Sequence, residues 1–140
     1  MKQVLDVINQ LKSVIEKQLD YKEDFSVILD YPEETKVKKN TTIFIVPDGG
    51  TLESLTTGSD ACYLDCTIYV ICRRKNSDNL MQNVFKAFEA VYKLLRGNSS
   101  LDGYVSDTQI NDFDYYPGVS ETESQKAIEC TLSITWEKDF

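Results

Sequence analysis

The chain predicts an α+β fold: a mainly antiparallel sheet of about five strands with two helices packed on one face, in the order α-β-β-β-α-β-β. Three observations carry this reading. In Cys62, Leu64, Cys66, Ile68, Val70 and Cys72 every second residue is apolar, the period of a pleated strand with one buried face. Leu80, Val84, Ala87, Phe88, Val91, Leu94 and Leu95 then recur at intervals of three and four, widened by Met81, Phe85 and Tyr92, the stripe of an amphipathic helix. Near the C-terminus Lys126, Ile128, Cys130, Leu132, Ile134 and Trp136 alternate with Gln125, Ala127, Glu129, Thr131, Ser133 and Thr135, a strand with one dry face and one wet or shared.

Taken in order, residues 2–19 read as the first helix, with Val4, Leu5, Ile8, Leu11, Val14 or Ile15, and Leu19 toward the core. Phe25–Leu29 is a short apolar strand closed by Tyr31-Pro32, because the residue before proline avoids helical angles. Residues 33–40 form a charged turn. Thr41–Val46, β-branched and aromatic, is a strand stopped by Pro47-Asp48-Gly49-Gly50. Residues 47–61 then read as a long exposed loop, rich in Gly, Ser and Thr, with Leu52 and Leu55 as its apolar anchors. It is either a binding arm ordered by a partner or an ordinary mobile hairpin loop. Asn76-Ser77-Asp78 offers side-chain oxygens to a helix start, and Gly97 suits a left-handed cap at its end. A turn over 98–103 leads to a polar strand, Tyr104–Tyr116, suited to a sheet edge, and Pro117-Gly118 turns the chain into the last strand, 121–139.

At 140 residues the chain has ordinary single-domain length, so residues 1–140 are expected to form one unit without disulfide or metal staples. No segment approaches the ~20 apolar residues that span a bilayer, and the first residues do not resemble a signal peptide; the expected setting is the cytoplasm. The formal charge is −8, and residues 98–140 carry two lysines against nine acids. Such a surface repels phosphate backbones and anionic membranes, which argues against stable nucleic-acid or lipid binding.

No stretch announces a reaction. The absence of histidine excludes Ser-His-Asp triads, Cys-His dyads and imidazole-ligated zinc. Cys62, Cys66 and Cys72 share one strand face with the closest pair about 13 Å apart, too far for a bond or a shared ion, so the cysteines read as buried hydrophobes. Asp107, Asp112 and Asp114 lack the glycine-bearing loop of a calcium site and read as a solvated edge. The sequence therefore offers no catalytic, metal-binding or cofactor-binding residues. Tyrosine is favoured where a surface is wet before association and dry after it. Tyr63, Tyr69 and Ile71 lie on the strand face opposite the cysteines, to be covered by a second helix or by a neighbouring subunit. With Leu52, Leu55, Tyr115 and Tyr116 they are the candidate subunit or partner interface.

The succession of an N-terminal helix, a strand ending Ile43-Phe44-Ile45-Val46-Pro47, a loop, a long strand leading to Asn76-Ser77-Asp78-Asn79-Leu80, a helix ending Val91-Tyr92-Lys93-Leu94-Leu95, and a final Glu129-Cys130-Thr131-Leu132-Ser133-Ile134-Thr135-Trp136 resembles the tail-terminator and tail-completion (minor capsid) proteins of long-tailed phages and prophages. The resemblance is one of order and texture over nearly the whole chain. It implies a non-enzymatic ring, commonly a hexamer, that caps the tail tube and joins it to the head. Its partners would be copies of itself, tail-tube proteins and head–tail connector proteins; it would assemble in the host cytoplasm and end in the virion tail or neck. The competing expectation is a small cytoplasmic ligand-binding or regulatory domain with the sheet as its binding floor.

Overall fold

The structure is a computed structural model that describes residues 3–21, 24–73, 79–118 and 124–139. Helix α1 spans Val4–Gln18, strand β1 Phe25–Ile28, β2 Thr41–Thr56 and β3 Ser59–Arg73; helix α2 spans Leu80–Gly97, and strands β4 and β5 span Asp107–Tyr116 and Gln125–Asp139. The order and class are those the sequence predicts.

The five strands form one sheet in the order β1-β2-β3-β5-β4. All neighbours are antiparallel except β1 and β2. That pair is parallel because the segment between them, with one 3-10 turn at Glu34–Lys36, carries the chain back to the level where β1 began.

Both helices cover the cysteine face. Val7, Leu11, Val14 and Ile15 of α1 and Val84, Ala87, Phe88, Val91 and Leu95 of α2 close over Ile43, Ile45, Cys66, Ile68, Val70, Ile128, Cys130, Leu132 and Ile134. The α1 stripe differs from the expected one at Val7, which is fully buried, and at Leu5, which is 64% exposed. At about 100° per residue the two lie on opposite sides of the helix, and Val7 is the one in phase with Leu11, Val14 and Ile15.

Helix α2 is capped by Asn79, whose side-chain oxygen accepts from the Gln82 N–H at 3.2 Å. The expected start at residues 76–78 lies outside the described residues. Gly97 is the last helical residue and not a left-handed cap; the positive φ angles of the turn that follows fall at Leu101, Asp102 and Gly103. Leu101 accepts that conformation while fully buried, and Asn98 holds the turn by donating to Asp102 at 2.9 Å and to Gln18 at 2.8 Å. This ties the end of α2 to the end of α1.

Residues 47–61, expected as a loop, are strand-paired. β2 runs on through Thr56, turns at Thr57-Gly58 and returns as β3, with irregularities between Pro47 and Gly49 and between Ser54 and Thr56. Proline and two glycines do not end the strand; they form a bulge in it. Gly49 has φ +139, and a Cβ on Gly50 would stand 1.8 Å from the Tyr63 carbonyl oxygen, so the bulge brings the two backbones too close for any side chain there.

Candidate assembly surface

Beyond Pro47 the hairpin forms an arm. Every residue of β2 from Pro47 to Thr56 is exposed. On its inner side the arm pairs with β3, which pairs in turn with β5 as far as Ser59 opposite Asp139. Its outer side is open: β1 reaches only Thr41–Phe44, and among the described residues no strand pairs with the outer edge above it. At the other side of the sheet β4 is likewise paired only with β5. Each edge leaves a row of main-chain donors and acceptors available to another strand.

The sheet face away from the helices is open over most of its length. At one end Val37 covers Phe44, Ile71 and Ala127. The rest is polar and acidic, because cross-strand register brings together carboxylates distant in the chain. Asp114 stands opposite Glu129, and Asp112 opposite Thr131, whose hydroxyl donates to it at 2.6 Å. Asp65 accepts from Ser133 at 3.3 Å, and Asp48 at the bulge accepts from Thr67 at 2.6 Å. Several ion pairs lie elsewhere, among them Lys12 with Glu16, Lys36 with Asp30 and Glu33, and Lys39 with Asp24. Tyr116 donates to Glu129 at 2.7 Å, and that carboxylate pushes the phenol up to about 12. Burial, with Glu129 nearby, raises Tyr69 as well.

The seven candidate interface residues do not form one patch. Tyr63, Tyr69 and Tyr116 lie on the open face, with Tyr63 and Tyr116 exposed. Ile71 shares that face but is buried inside the chain under Val37. Leu52 pairs with Cys62 and so stands on the helix side of the arm, yet is 65% exposed; Leu55 is 48% exposed at the second irregularity. Tyr115 faces the helices, its ring 5.2 Å from Phe85, and Phe113 lies 4.9 Å from Phe88. These two ring pairs dock the edge strand onto α2 while Phe113 stays half exposed. The sequence reading missed Phe113 and the carboxylates Asp48, Asp65 and Glu129; only the strand register, which composition does not reveal, places them.

The remaining features are chemically quiet. Cys66 and Cys130 are buried, and burial pushes both thiols up to about 12, away from the reactive thiolate. No cluster of three or more metal-ligating side chains occurs among the described residues. No helix among them is long and apolar enough to cross a membrane. A groove of about 690 Å³ runs between the C-terminal end of α1 and the side of α2, lined by Gln18, Tyr21, Asn83, Lys86, Glu89 and Lys93 among others.

No protein-family model matches the chain, and no curated protein matches it in sequence. Solved structures do match in fold. A chain of the virion of a native gene transfer agent particle aligns over 94% of this chain and 92% of its own length at 13% identity, with a TM-score of 0.49. A chain of the sheath/tube terminator of an extracellular contractile injection system, in its extended state, aligns over all of this chain at 12% identity with a TM-score of 0.53. This chain spans 58% of that terminator's length.

Proposed function

We propose that the chain is a structural protein of a phage or phage-like tail, a tail terminator or head–tail joining component that acts by assembling into a ring and performs no catalysis. The observation that carries the proposal is a sheet built to be continued: two open edges, a protruding arm, and one face left uncovered by helices. The fold it shares with a sheath/tube terminator supports the same reading, as does the resemblance drawn from the order of its elements.

In this reading copies of the chain join edge to edge, the arm contacts the tail tube, and the carboxylates of the open face line a passage. A negatively charged wall repels a phosphate backbone at short range, so DNA moves through without adhering. The protein works in the tail or neck of the particle and is assembled in the host cytoplasm with tail-tube and connector proteins.

Light scattering across a concentration series, together with negative-stain images, tests the proposal. Closed rings are the expected result; a strict monomer that stays monomeric with tail tubes present overturns it. One observation favours a second reading, a small ligand-binding or regulatory domain: the groove between the helices. It predicts thermal stabilisation by a small molecule, abolished by Lys86→Glu or Lys93→Glu.

A further inference from the structure

β2 is sixteen residues long, and β1 pairs with only four of them, Thr41–Phe44. The outer edge above β1 therefore offers room for one more strand. β4, ten residues long and open on its far side, is of the right length to fill it. The directions also agree. β4 is antiparallel to β5, β5 to β3 and β3 to β2, so a copy placed beside the first in the same orientation brings its β4 antiparallel to the neighbour's β2.

We infer that subunits join by laying β4 of one copy along the outer edge of the arm of the next, directly above β1, displaced by four residues along the strands. The inference rests on the ring reading above and specifies its interface. The displacement follows from excluded space. Through β5 and β3, Tyr116 lies level with Thr42, so without a shift the end of β4 would occupy the place of β1. A shift of four residues brings Tyr116 level with Val46, just clear of Ile28, and Asp107 level with Thr56, the end of β2. An even shift also keeps each side chain on its own face of the sheet.

The side chains agree with this register. On the helix side, half-buried Ile110 comes to lie beside Leu52, which is 65% exposed in the single chain. The half-exposed ring of Phe113 comes beside Gly50, the aromatic-over-glycine pairing that shields a bare strand position. On the open side Gln109 meets Glu53, Asp112 meets Thr51 and Asp114 meets Gly49, so no directly opposed pair joins two carboxylates. The same step fixes a tilt. Four strands of about 4.8 Å sideways and four residues of about 3.3 Å along give strands inclined by about 35° to the ring axis. That is the inclination at which continuous sheets close on themselves.

Disulfide trapping tests the inference. The variant Thr51→Cys/Asp112→Cys, mildly oxidised, is expected to give a ladder of covalent multimers on non-reducing gels, and Glu53→Cys/Gln109→Cys provides a second pair in the same register. Within one chain these pairs are separated by three strand spacings and four residues, about 19 Å, too far to bridge. The unshifted pair Thr51→Cys/Asp107→Cys should stay monomeric on the gel. All four positions in the two test pairs are exposed, and circular dichroism verifies that the variants fold. A ladder from the unshifted pair alone overturns the register. No ladder from any pair, in protein that light scattering shows to be oligomeric, overturns the interface but leaves the ring reading standing. A monomer under every condition overturns both.

Discussion

At Gly50 a methyl group would stand 1.8 Å from a backbone oxygen, so the residue is fixed by space and not by turn chemistry. Gly50→Ala should force the arm apart from β3 at its base and cost about 1–3 kcal/mol, read as a lower urea midpoint. An unchanged midpoint would mean that the strands do not approach as described. On the open face, Glu129 accepts the Tyr116 hydrogen bond and holds the phenol protonated. A group whose folded pKa is raised contributes stability below its unfolded pKa and loses it as pH rises through the folded value. The Tyr116 contribution is thus present below pH ~10 and fades toward about 12. In absorbance titrations, with Tyr116→Phe subtracted to isolate the one phenol, Glu129→Gln should bring its midpoint back toward the ordinary value. A midpoint that does not move contradicts the pairing. Neither effect was legible in sequence, because Gly50 and Tyr63, like Tyr116 and Glu129, meet only through strand register.

Among the elements, β3, β5 and α2 were readable because each has one buried side, and burial writes a period into the residues. The arm was not. Both of its faces are wet, so β2 beyond Pro47 carries no alternation, and Pro47-Asp48-Gly49-Gly50 looks like a stop when it is a bulge inside a continuing strand. Its two leucines were the part of it that the sequence singled out. Leu52 and Leu55 stand exposed on the arm, and exposed side chains add little to folding. Leu52→Ser/Leu55→Ser should therefore leave the urea midpoint within about 0.5 kcal/mol of the parent while weakening self-association. A large stability loss, or unaltered association, would show that the arm serves its own chain and not a neighbour.

For the whole molecule the architecture follows from asymmetry. Two helices on one side of five strands leave the other side open, and among the described residues a strand order that ends in β1 at one edge and β4 at the other leaves both edges unpaired. The sequence predicted the class and order of elements, since each strand and helix carries its own pattern, but not the parallel β1–β2 pair or the convergence of Asp48, Asp65, Asp112, Asp114 and Glu129, which topology alone decides. A sheet open at both edges and on one face is a surface that copies of the same chain can extend, and the charge gathered on that face suits a passage for a polyanion. Mass in solution tests this most directly. Light scattering over rising concentration, with and without tail tubes, should show the 16.0 kDa chain giving way to a single larger species whose mass stops increasing, as a closed ring requires. A mass fixed at that of one chain in every condition, or one that grows without limit, would contradict the account.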